Sequence, residues 1–180
     1  MIRTAFTTIF WGLVMTVVDV RINSLDLVPD FIGYLLVFSG LRQLAPLHAG
    51  FGAARTSALA MVVLSLPNLI GVESPLLNVI VIVGDLLIFW PACTGINALA
   101  SAAGNGSLAD AALTRRNLQA LISAIALLGE VPARAHSALV RPFLFPLVIF
   151  VLAVLFLMLH LMWRAAAELA PVEPGAPAGG

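Results

Sequence analysis

Ionisable side chains are scarce in this chain, so each one that interrupts an apolar run is a candidate for chemistry. Three aspartates do so. Asp26 and Asp30 bracket Pro29 in LDLVPDFIGY, and Asp85 interrupts VIVIVGDLLIFW. Asp26 and Asp30 are four residues apart and share one face if they are helical. Asp19 and Glu130 fall at the same level of their own segments. Carboxylates gathered in this way could draw in a cation or hold Ca²⁺ or Mg²⁺ through oxygen ligands. Arg21, Arg134 and Arg141 fall at that level too. They point instead to an ion-paired network with Asp19, Asp26, Asp30 and Glu130, and no metal site is assigned. Each residue of the LDLVPD stretch also has a structural reading. Asp26 would be an N-cap that accepts backbone N–H bonds, Pro29 would sit in the first turn, and Asp30 would lie by the positive end of the helix dipole.

Asp85 is the sharper candidate. It lies about ten residues into its apolar run, near mid-depth if that run crosses a bilayer at 1.5 Å per residue. A charge there costs several kcal/mol unless it is paired, hydrated or protonated. Asn78 is seven residues earlier on the same helical face, and Asn68, Tyr34 and Thr16 fall at similar depth in neighbouring segments. Together they outline a polar seam that opens at one end of a helix bundle. Two roles are open for Asp85. It could be a hydrogen-bonded clamp between helices, worth roughly 0.6–2 kcal/mol, or a site that takes up a proton or cation.

The elements that must position these residues follow from composition. Of 180 residues, 61% are hydrophobic and only 10% charged, with mean hydropathy +1.07. A soluble domain carries about a quarter charged residues, so this chain lacks the polar surface to cover a water-exposed fold. A bilayer takes about 20 apolar residues to cross as helix. Runs such as LFPLVIFVLAVLFLMLHLMW do not alternate as the strands of a membrane barrel would. The expected fold is all-α, a polytopic transmembrane bundle with six spans at 4–20, 27–44, 56–72, 76–99, 114–131 and 142–163. The fifth segment also fits a helix lying on the membrane, which would leave five. A capping pattern, Ser107 to Asp110, places its start near Leu108. Pro67 should kink or end the third helix, because it removes one backbone bond and clashes with the preceding turn. The first 170 residues read as one domain. The tail PVEPGAPAGG at 171–180 reads as disordered.

All nine basic residues are arginines. Schiff-base and P-loop lysine chemistry are thereby excluded. With a cytoplasmic N-terminus, the inner side holds Arg3, Arg42, Arg55, Arg115, Arg116 and Arg164, and the outer side Arg21, Arg134 and Arg141. The six-to-three bias favours both termini inside. Cys93 is the sole cysteine and cannot form an internal disulfide. His48, His136 and His160 lie in separate segments, and no G-x-S-x-G or H-E-x-x-H pattern occurs. No cofactor is implied, and no enzyme is expected.

The run Asp26-Leu27-Val28-Pro29-Asp30-Phe31-Ile32-Gly33-Tyr34-Leu35-Leu36, followed by Gly40-Leu41, resembles a signature of small uncharacterised multi-pass membrane proteins of bacteria. In these, D-x-x-P-D-F-I-G-Y precedes an apolar helix. The resemblance covers 19–44. It implies a bacterial inner (plasma) membrane location and no particular activity. The expected function is binding or permeation of a small solute or ion through the seam around Asp85, Asn78, Asn68 and Tyr34. The competing class is a non-transporting scaffold, complex subunit or sensor. The expected partner is the lipid bilayer. A chain this small fits a transporter best as a homo-oligomer or as part of a larger membrane complex, and no nucleic acid is expected.

Overall fold

The computed structural model of the chain describes residues 1–17, 21–22, 25–26, 30–69, 74–130 and 137–170, with the side chains of 17, 21–22, 25–26, 68–69, 129–130, 137–145 and 147 outside that description. Six long helices carry the fold: α1 Ile2–Val17, α2 Asp30–Leu44, α3 Ala49–Leu64, α5 Pro75–Ala102, α6 Gly106–Glu130 and α7 Ser137–Glu168. A single turn, α4 Leu66–Leu69, follows α3. The β structure among the described residues is one antiparallel pair between α1 and α2, with Arg21 opposite Asp26 and Ile22 opposite Leu25. The fold is therefore all-α in class. Among the described residues, two helices are long and apolar enough to cross a membrane, α5 and the Val148–Glu168 part of α7.

Consecutive helices pack on one another, and α7 returns to α1, so the six close a ring. The seam between α1 and α2 is set by glycine. A methyl group on Gly12 would meet the Gly33 carbonyl oxygen at 2.7 Å, and one on Gly40 would meet the Ala5 carbonyl oxygen at 2.6 Å. Backbone lies on backbone there, as small residues allow between apolar helices. The half of the ring where α1 begins and α2 ends is closely packed, by Phe6, Leu41, Phe51, Ile96, Leu161 and Met162 among others. Phe6 and Phe51 meet edge to face at 6.1 Å, the favoured geometry for aromatic rings.

Local chemistry sets the helix ends. His48 Nδ1 accepts the Gly50 N–H at 3.0 Å and starts α3. Helix α3 stops at Leu64, since Pro67 cannot donate to its next turn. Ser74 Oγ accepts from Leu76 N ahead of α5, with Pro75 in the first turn. Gly104, at φ +72°, ends α5 in the left-handed conformation that glycine adopts without penalty. Asn105 then caps α6 through its side-chain oxygen, which accepts Leu108 N–H at 3.0 Å. Its amide donates to Glu168 at 2.6 Å, and Glu168 also accepts from Arg164 Nε at 2.7 Å. This knot ties the α5–α6 turn to the end of α7.

Four expectations are corrected. Helix α2 starts at Asp30 rather than at 27, and Asp26 belongs to the β pair, so it is not the N-cap. The cap of α6 is Asn105, not Ser107, because Gly104 delivers the chain to the helix at that point. Helix α3 begins at Ala49, seven residues before the expected 56, because His48 caps it. Helix α7 begins at Ser137, five before the expected 142.

Candidate functional site

The half of the ring where α1 ends and α2 begins holds a cavity of about 370 Å³ between α1, α2, α5, α6 and α7. Its walls are mostly apolar, with Leu13, Val37, Ile82, Phe89, Leu155 and Met158 among them. Six polar side chains converge on it: Thr16, Asp30, Tyr34, Asp85, Gln119 and Ser123.

The centre of the site is one hydrogen bond. Tyr34 Oη donates to Asp85 Oδ1 at 2.9 Å, across 51 residues of sequence. Tyr34 reaches it because α2 lies flush on α1 through Gly33, its neighbour, whose added methyl would meet the Gly12 carbonyl oxygen at 2.8 Å. Asp30 sits one turn before Tyr34 and faces the same cavity. Asp85 is only partly buried, and its open side faces the cavity. On α6, Gln119 and Ser123 are also one turn apart and face the acids from across the ring. The Thr16 hydroxyl donates to the Leu13 carbonyl at 2.9 Å, so towards the cavity its oxygen can only accept.

The electrostatics of this arrangement are one-sided. No arginine or histidine lines the cavity among the described residues, whereas two carboxylates do. An acid such as Asp85 among apolar walls needs a proton, a cation or hydrogen-bond donors beside it. The phenol, amide and hydroxyl oxygens add neutral acceptors. The site is equipped to hold something positive or something that donates hydrogen bonds. It lacks a nucleophile paired with a base, and no group of three His, Cys, Asp or Glu among the described residues could hold a metal ion.

The residues singled out in the sequence fall into three groups. Tyr34 and Asp85 are brought together, and Asp30, expected in an outer charged network, joins them. Asn78 is exposed near the start of α5 and does not line the cavity. Asp19 and Arg134, and the side chains of Arg21, Asp26, Asn68, Glu130 and Arg141, lie outside the described residues. The sequence reading missed Gln119 and Ser123 as site residues. Their signal was present as two polar residues at helical spacing inside the apolar part of α6. No protein-family model, curated protein or solved structure matches this chain, so a functional reading rests on the site itself.

Proposed function

We propose that this chain is a six-span bundle of the bacterial inner membrane, with both termini cytoplasmic, and that its outward cavity binds a small cation or protonated amine for permeation. The membrane part is supported by the outward faces of the helices. Only 28% of the apolar window in α5 and in α7 is buried. Leu87, Leu121, Phe156 and Trp163 are among the large side chains turned outward. A core helix of a soluble protein would be mostly buried instead, and an exposed apolar surface of this extent calls for lipid or partner protein.

The observation that carries the ligand class is Asp85, bonded to Tyr34 and facing a cavity in which no described lining residue is basic. The volume of about 370 Å³ lies within the range of small-molecule sites. Its apolar walls suit the alkyl part of an ammonium ion, and the acids and Tyr34 suit its N–H groups.

A second reading has its own observation. The Tyr34–Asp85 bond caps the acid inside the bundle, which is what a scaffold or complex subunit needs of it. Reconstituted liposomes separate the two. Wild-type protein should take up sodium ion or methylammonium down an imposed gradient, and Asp85→Asn should abolish the uptake. Infrared difference spectra from acid to alkaline pH should show a carboxyl band that titrates and is lost in Asp85→Asn. Absence of both uptake and titrating band sinks the permeation reading and leaves the scaffold.

A further inference from the structure

A second polar cluster lies about one turn beyond the acidic cavity along α6, past Gln119, and its charge is opposite. Arg115 and Arg116 are consecutive on α6, and neither meets a carboxylate among the described residues. Arg115 is only 7% exposed. Its Nη2 lies 3.2 Å from His160 Nδ1, and its Nη1 is buried with no hydrogen-bond partner. Arg116 Nε is likewise buried and unpartnered. The Arg116 guanidinium lies over the Trp90 ring at 4.5 Å, and its Nη1 makes a long bond of 3.5 Å to Thr94 Oγ1. Arg164 approaches Arg115 closely enough for the two charges to repel. The one acid in this group, Glu168, is taken by Arg164 and Asn105.

Guanidinium groups are donors only, five N–H each. A buried charged donor left without an acceptor is among the more costly defects a fold can carry. What this cluster lacks is negative charge and acceptor oxygens. A phosphate supplies both, and two of its oxygens can accept the two parallel N–H bonds of a planar guanidinium. The flanks indicate where such a phosphate comes from. Trp90 and Trp163 are both exposed, as tryptophans at a membrane interface are. Leu152, Phe156, His160 and Trp163 form one outward row on α7, an apolar track that leads to the imidazole beside Arg115.

We propose that Arg115, Arg116, Arg164 and His160 form a binding site for the phosphate of an anionic phospholipid in the inner leaflet, with an acyl chain along Leu152 and Phe156. The phosphate oxygens accept from Arg115 Nη1 and Arg116 Nε, and His160 is the side chain that yields to admit them. The lipid source rests on the bilayer assignment made above, whereas the phosphate chemistry does not.

The test is native mass spectrometry of the full chain released from detergent, with phosphatidylglycerol, phosphatidylcholine or inorganic phosphate added. Wild-type protein should retain phosphatidylglycerol about tenfold more tightly than phosphatidylcholine, equivalent to about 1.4 kcal/mol. The preference should fall to within about twofold, roughly 0.4 kcal/mol, in Arg115→Gln and in Arg116→Gln. It should persist in Asp85→Asn, so that failure of the cavity reading leaves this one untouched. Arginine-dependent binding of inorganic phosphate with no lipid preference would keep the site and assign it a soluble ligand. Equal retention of both lipids with no phosphate binding in wild type overturns the proposal, whether or not the variants fold. A preference that survives in Arg115→Gln/Arg116→Gln overturns it as well.

Discussion

Removing the Tyr34 hydroxyl tests the geometry of the cavity with a bounded magnitude. In Tyr34→Phe the ring remains and its packing is kept, but Asp85 Oδ1 loses the donor it meets at 2.9 Å. Polar bonds between helices within a bilayer average about 0.6 kcal/mol and reach about 1.7. A bond to an ionised acceptor contributes about 1.5–3 kcal/mol. A double-mutant cycle of Tyr34→Phe with Asp85→Ala isolates this pair from the rest of the fold. Its coupling energy should be near 0.6 kcal/mol where Asp85 is protonated and about 1.5 kcal/mol or more where it is ionised. The coupling must therefore grow from acid to alkaline pH. The assay is reversible unfolding in mixed micelles with increasing sodium dodecyl sulfate, run for four proteins at each pH. Coupling below about 0.3 kcal/mol at every pH, the usual error of such cycles, would refute the bond and with it the convergence of α2 and α5 on one site.

Three further outcomes follow from the same structure. Ser123→Cys should react with a membrane-impermeant thiol reagent added from outside, while buried Cys93 stays unmodified, as read by mass shift; labelling only from the inner side would reverse the orientation. Gly33→Ala places a methyl 2.8 Å from the Gly12 carbonyl oxygen and should destabilise by about 1–3 kcal/mol. Gly52→Ala, which meets nothing within 4 Å, should be neutral or stabilise by up to about 1 kcal/mol, and equal effects of the two in the micelle assay would contradict the glycine seam. Asn105→Ala loses both the α6 cap and the bond to Glu168, so a cost of about 1–3 kcal/mol is expected, against little change for Ser107→Ala.

The helical class and the two central side chains were legible in the sequence for a simple reason. An aspartate inside an apolar run has no solvent to turn to, so it must find a partner, and Tyr34 was among the few polar residues at matching depth. The partnership itself spans 51 residues, a separation that no local pattern encodes. The start of α2 was misplaced because a membrane-crossing length was imposed on it. Gln119 and Ser123 were not singled out in the sequence, although both line the cavity. The arginine pair was counted for its side of the membrane, and the burial of Arg115 depends on the α5–α6 hairpin, whose turn at Gly104 no arginine tally can reveal.

The lengths of the helices have a consequence for the lipid around them. Helices α1 and α3 have 16 residues and α2 has 15, about 24 Å and 22 Å of rise. Helices α5 and α7 have 28 and 32, about 42 Å and 48 Å. A hydrocarbon core about 30 Å thick is too deep for the first group and too shallow for the second. In the six-span bundle proposed above, the mismatch would be met by thinning the bilayer on the α1–α3 side and by tilt on the α5–α7 side. Thinning on that side brings the water boundary down towards Thr16 and Asp30. A thicker membrane would pull that boundary back, so lipid chain length becomes a control on how readily the acidic cavity exchanges with water.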